Sequence, residues 1–171
     1  MLLIEDDPVA AQLARDALSH CDRISHVTVA VDGVQAMRVL RQESESPARA
    51  RVRKPDAILL NLSLPDSRVL HETFMSVFGV ARSTPILVIA DEPDSSLETL
   101  LLREGAQDFL LKSELDAEPL ARRMKHAVER QRYVNSFSMA RLADAVAAPR
   151  QIALDTVPLD LIVVAEATLV E

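Results

Sequence analysis

DAILLNLSLPDS, residues 56–67, sets the terms for the rest of the chain. Ala57, Ile58, Leu59 and Leu60 make an apolar run too short for a helix and suited to a strand buried on both faces. Pro65, Asp66 and Ser67 follow as a turn signal that also suits a helix start. Between them stands Asn61, where the apolar run gives way to a polar side chain. In open α/β sheets the carboxyl end of a central strand is where ligands are handled. The neighbouring segments are therefore read for the polar groups they deliver to Asn61.

Upstream, Leu2, Leu3 and Ile4 form a buried strand that ends in Glu5, Asp6 and Asp7. Asp7 caps a helix with Pro8 in its first turn. Ala10, Leu13, Ala14, Ala17 and Leu18 recur at the spacing of one apolar helix face. Residues 24–31 alternate and are β-branched, which predicts a strand. Asp32 and Gly33 break it and open a helix with Val34, Met37 and Leu40 on one side. Residues 42–54 are polar and unpatterned and read as an exposed loop. Arg49, Arg51, Arg53 and Lys54 in it read as solvated cations rather than a nucleic-acid contact.

Downstream, Leu70, Phe74, Val77, Phe78 and Ala81 mark a third helix, and residues 85–90 a continuous apolar strand. Ser95–Glu104 reads as a helix burying Leu97, Leu100 and Leu101, with Gly105 in the C-cap position. Phe109, Leu110 and Leu111 are a short strand ending at Lys112, and residues 119–134 a last helix. Strand and helix alternate five times, which implies a doubly wound parallel sheet covered on both faces. The strand ends then converge on one edge carrying Glu5, Asp6, Asn61, Ala90 and Lys112.

Composition narrows the function. The chain has 171 residues, 49% of them hydrophobic, enough for a proper core. A net charge of -7 argues against nucleic acid, and 3% aromatic content against a base-stacking platform. The one cysteine, Cys21, rules out a disulfide framework within the chain and points to a reduced, cytoplasmic compartment. No apolar run approaches membrane-span length, and the Met1-Leu2-Leu3 start lacks a leader's basic opening.

LLIEDDP near the start, LLNLSLPDS in the middle and GAQDFLLKSE later resemble, in that order, the receiver domain of two-component response regulators. The resemblance runs from Leu2 to about Arg132 and implies the flavodoxin-like (βα)5 fold. In that family an acid pair after the first strand helps hold Mg²⁺, and an Asp after the third strand is phosphorylated. A Thr or Ser ends the fourth strand and a Lys ends the fifth. Glu5 and Asp6 match the acid pair and Lys112 the lysine. Asn61 falls where the phosphoacceptor Asp belongs, Ala90 where the Thr or Ser belongs, and Phe109 at the switching aromatic. Val69 replaces a frequent glycine.

An amide lacks the anionic oxygen that attacks phosphorus, and Ala90 lacks the hydroxyl that would receive a phosphoryl oxygen. Mg²⁺ at Glu5, Asp6 and Asn61 should be weak or absent, since one negative charge is gone. The resemblance so amended implies a pseudo-receiver that is not an enzyme. It would work through a histidine kinase, an output domain or a second copy of itself as a dimer. The alternative is a working receiver phosphorylated by a histidine kinase, which requires a natural Asp at 61, with Asn61 a directed exchange, or diversion of the phosphoryl group to Asp66.

Several other residues read as structural. His20, His26, His71 and His126 share no ligand or triad spacing, and Ser63 and Ser67 sit in a turn without a nucleophile-elbow pattern. Lys112 reads as counter-charge to the acid pair rather than as a working phosphate ligand. Arg122, Arg123, Lys125, Arg130 and Arg132 make either a solvated face or a partner surface. The receiver frame occupies residues 1–134, and residues 135–171 form a helix-plus-strand extension. Asn135 and Ser136 would cap a helix through Met139, Leu142, Ala143 and Val146, stopped by Pro149. The apolar segment after it weakly resembles the opening of a PAS sensor domain. The extension reads as a dimerisation element, a linker or the start of a further domain of a longer sensor protein.

Overall fold

The structure is a computed structural model and describes residues 1–19, 26–45, 54–66 and 69–147. The elements in chain order are β1 (Leu2–Ile4), α1 (Pro8–Ser19), β2 (Thr28–Ala30), α2 (Gly33–Glu45), β3 (Ile58–Asn61), α3 (Leu70–Val80), β4 (Ile86–Ala90), α4 (Ser95–Glu104), β5 (Asp108–Leu111) and α5 (Ala117–Ala147). All five strands are parallel, in the order β2-β1-β3-β4-β5, which is the flavodoxin-like arrangement expected. Among the described residues no helix is long and apolar enough to cross a membrane.

Side-chain alternation along the strands feeds two cores. Leu2, Ile4, Ile58, Leu60, Ile86, Val88 and Phe109 face the layer carrying Leu40 of α2, Phe74 of α3 and Leu101 of α4. Leu3, Leu59, Leu87, Ile89 and Leu110 face Ala14 and Leu18 of α1 and Leu120 and Met124 of α5. The strands are thus apolar at consecutive positions because each face has its own cover.

Local chemistry sets the helix ends. Asp7 accepts from the Val9 amide at 2.8 Å, Asp32 from Gln35 at 2.6 Å, and Asp94 from Ser96 and Leu97 at 3.0 and 2.9 Å. Gln35 Oε1 accepts from the Val31 amide at 2.7 Å, one residue before the cap, and so fixes the entry of the chain into α2. Gly105 ends α4 at φ 118°, and a Cβ there would sit 2.8 Å from the Phe78 ring.

Several expectations are corrected. Leu13 is 57% exposed and Ala11 is buried instead, because the spacing of α1 also admits the neighbouring face. Leu70 and Leu100 lie at 39% and 40% exposure on helix rims. The second strand is three residues long, and residues 42–45 belong to α2 rather than to a loop. The helix expected to end at 134 continues to Ala147. Asn135 cannot cap a new helix because its amide donates to the Ser83 carbonyl while its oxygen accepts from Gln131. Ser136 donates to the Tyr133 carbonyl within the helix.

Compact units comprise Met1–Ser136 and Phe137–Glu171. His20, Cys21, Arg49, Arg51, Arg53, Ser67, Pro149 and the strand expected within 151–171 lie outside the described residues.

Candidate functional site

Strand register assembles the site. Ile4 pairs with Leu60, so Glu5, one residue on, arrives beside Asn61 at the end of β3. Ala90 pairs with Leu111, so Asp91 and Lys112 leave neighbouring strand ends together. Four residues expected at this edge, Glu5, Asp6, Asn61 and Lys112, do meet there.

Asn61 is fully buried, and its Nδ2 donates to Glu5 Oε1 at 2.9 Å and to Asp6 Oδ1 at 3.0 Å. Its Oδ1 accepts from the Ser63 amide at 3.0 Å. Glu5 Oε1 also accepts from the Asp7 amide at 3.1 Å and faces Lys112 Nζ at 3.4 Å, whereas the buried Oε2 has no hydrogen-bond partner. Lys112 Nζ stands closer, at 3.1 Å, to Asp91 Oδ1.

The charges respond to these neighbours. Burial pushes the Glu5 carboxyl above its ordinary value, with the Asp7 amide and Lys112 pulling back only in part. Burial would lower Lys112, but Asp91 and Glu5 outweigh it and hold the ammonium above its usual value. Burial likewise acts to raise Asp91, and hydrogen bonds from Lys112 and Ser63 more than reverse it.

Ala90 and Phe109 contribute no side-chain polar atom here; they are 5% and 9% exposed and belong to the core on the α2–α4 side. Val69 precedes α3 without capping it and is 47% exposed. Asp91 escaped the sequence reading, although its place directly after β4 is the same signal that singled out Glu5. Asp66 is held elsewhere: its carboxylate accepts from the Gly33 and Val34 amides, both at 3.1 Å, at the start of α2.

The remaining candidates stand apart. The His26 carbonyl takes the chain's amino terminus at 2.9 Å, and His71 faces Glu104 at 3.9 Å. Arg123 pairs with Asp108 at 3.2 Å, and Arg130 with the side chain and carbonyl of Gln107 at 3.2 and 3.1 Å. Among the described residues, no three His, Cys, Asp or Glu side chains come together as metal ligands.

A family model for the response regulator receiver domain matches residues 1–125. The chain belongs to this family. Among its relatives, the sensor histidine kinase TmoS of Ectopseudomonas mendocina is 31% identical over 116 residues, 66% of this chain and 10% of that protein. The probable C4-dicarboxylate response regulator DctR of Bacillus subtilis is 23% identical over 112 residues, 66% of this chain and 45% of that one. The chain therefore spans less than half the length of either curated relative. The CheY-like receiver structure from Methanospirillum hungatei has a TM-score of 0.63 at 14% identity, covering 77% of this chain and 94% of that one. NtrX from Brucella abortus gives 0.65 at 20%, covering 81% and 28%. These structures share the receiver fold.

The Mg²⁺ implied by the family asks for oxygen lone pairs. Here Asn61 turns N–H donors toward both acids, its oxygen is held by Ser63, and an ammonium already faces Glu5. A divalent cation does not fit this donor set as arranged.

Proposed function

We propose that this receiver domain signals without being phosphorylated. In this reading Asn61 stands at the phosphoacceptor position, Ala90 at the hydroxyl position, Phe109 at the switch aromatic and Lys112 at the phosphate-binding lysine. Glu5 and Asp6 are the acid pair, with Mg²⁺ weak or absent. The observation that carries it is the Asn61 carboxamide donating to Glu5 and Asp6 at 2.9 and 3.0 Å. The amide joins the acids directly and offers no nucleophilic oxygen.

Output then comes from binding a protein partner: a histidine kinase, an output domain or a second copy of the chain. The acidic balance supports a protein partner over nucleic acid, and a cytoplasmic location accompanies the reading. Residues 1–134 would be the receiver, and 135–171 the dimerisation element, linker or opening of a further domain.

The test is incubation with acetyl phosphate, or beryllofluoride, plus Mg²⁺, followed by intact mass and backbone NMR. The expected result is an unchanged mass and an unmoved Phe109 amide. A stoichiometric, Mg²⁺-dependent adduct overturns the reading. Transfer to Asp66 is disfavoured because its carboxylate already accepts two backbone amides.

A second reading, the receiver portion of a longer sensor protein, is favoured by the 10% coverage of TmoS. The N-terminal domain of a response regulator/sensory box/GGDEF three-domain protein from Carboxydothermus hydrogenoformans has a TM-score of 0.59 to this chain. Reading the open reading frame past Glu171 tests it.

A further inference from the structure

Five residues at the sheet edge close a ring. Glu5 Oε1 accepts from Asn61, Asn61 Oδ1 accepts from the Ser63 amide, and Ser63 hydrogen-bonds Asp91. Asp91 pairs with Lys112 at 3.1 Å, and Lys112 returns to Glu5 at 3.4 Å. The ring joins the ends of β1, β3, β4 and β5 and uses the chain's own groups at every step.

We propose that Asp91 is a built-in counter-ion. Its carboxylate takes, on the Lys112 ammonium, the place an added anion would otherwise occupy. It thereby positions the β4–α4 connection against the end of β5 with no modification of the pocket. The proposal deepens the phosphorylation-independent reading and rests on it.

Three observations carry the assignment. The Ala90–Leu111 register fixes Asp91 and Lys112 side by side, so the pairing is a consequence of the sheet. Lys112 stands nearer to Asp91 than to the buried Glu5, although the Asp91 side chain is 51% exposed. Water screens the Asp91 end of the pair, so its stabilisation is modest and its geometric effect on the two strand ends is the larger one. Finally, a tethered carboxylate competes at high effective concentration. An incoming dianion would have to displace it while approaching Glu5 and Asp6 as well.

The experiment uses the full chain in four forms: wild type, Asp91→Ala, Lys112→Met and the double variant. ¹⁵N spectra of the backbone and of the lysine Nζ groups are recorded without any phosphodonor. Asp91→Ala should move the Lys112 Nζ signal and the amides of residues 90–94 and 109–112. Lys112→Met should move the same amides, and the double variant no more than the larger single effect. Asp91→Asn, which keeps a partner for Ser63 and loses the charge, should match Asp91→Ala at Lys112. Added formate should return the Asp91→Ala spectrum toward wild type and leave the double variant unmoved. Shifts confined to the sequence neighbours of residue 91, additive effects, or equal formate response in the double variant overturn the proposal. A phosphoryl adduct on wild type bears on the acceptor reading instead, so the two failures are separable.

Discussion

The carboxamide of Asn61 lies between Glu5 and Asp6 and donates one N–H to each. An amide with two donors does there what a cation would do between two acids, without a metal's charge. Asn61→Asp removes both donors and sets a third carboxylate against the pair. Stability without metal should fall by about 3 kcal/mol, the scale of hydrogen bonds to charged groups. Mg²⁺ should then raise the urea midpoint of the variant, since binding to the folded state stabilises by mass action. The wild-type midpoint should be the same in EDTA and in Mg²⁺; an equal rise in both proteins contradicts this account.

The buried Glu5 carboxyl is held above 4.5, so the folded chain keeps its proton where the unfolded chain has released it. Stability therefore declines as pH rises from 4.5 through the folded pKa and levels off above it. Asp91, depressed below 3.8, acts the other way: its contribution is present above 3.8 and lost as pH falls through the folded value. Lys112, raised above 10.5, contributes fully below 10.5 and loses that contribution as pH rises through its folded value. Glu5→Gln should flatten the decline above pH 4.5 in urea-unfolding free energies and leave the Asp91 acid limb in place. Parallel curves for variant and wild type would refute the assignment to Glu5.

Asp66 ties the turn after β3 to the first amides of α2. Asp66→Ala should cost about 1 kcal/mol, as for loss of a helix cap. A Cβ on Gly33 would meet Asp66 Oδ2 at 3.0 Å, so Gly33→Ala should destabilise the wild type. In the Asp66→Ala background that contact is absent, and Gly33→Ala should stabilise by about 0.5 kcal/mol through the unfolded state. A double-mutant cycle by chemical denaturation reads the coupling; purely additive values would argue against the tie.

Gly105→Ala combines a left-handed backbone with a Cβ 2.8 Å from the Phe78 ring. Phe78 is stacked on Phe74 at 5.5 Å and has little freedom to retreat. The expected loss is about 1–3 kcal/mol, read by urea unfolding. A loss no larger than for Gly79→Ala, where a Cβ meets nothing within 4 Å, would contradict it.

The sheet was legible because its strands are short, continuously apolar and separated by capped helices. Leu2–Ile4 and Ile58–Asn61 carry that signal, and their register alone brings Glu5 to Asn61. Helix faces were less legible. The spacing of α1 accommodates either Ala11 or Leu13, and packing against the sheet chose the smaller residue. Asn135 looked like a cap because capping chemistry is local, whereas its partner, Ser83, is 52 positions away. Asp66 and Asp91 were missed as fixed groups for the same reason: their partners belong to other elements.

Helix α5 illustrates what such long-range pairing does to a surface. Arg123 and Arg130 turn back to Asp108 and Gln107, and Arg132 lies within 3.9 Å of Asp56. Cations that composition would credit to an outward field instead brace the helix to its own domain. Guanidinium groups already fixed in this way lose less side-chain freedom when a visitor docks on the helix, while their positive charge remains.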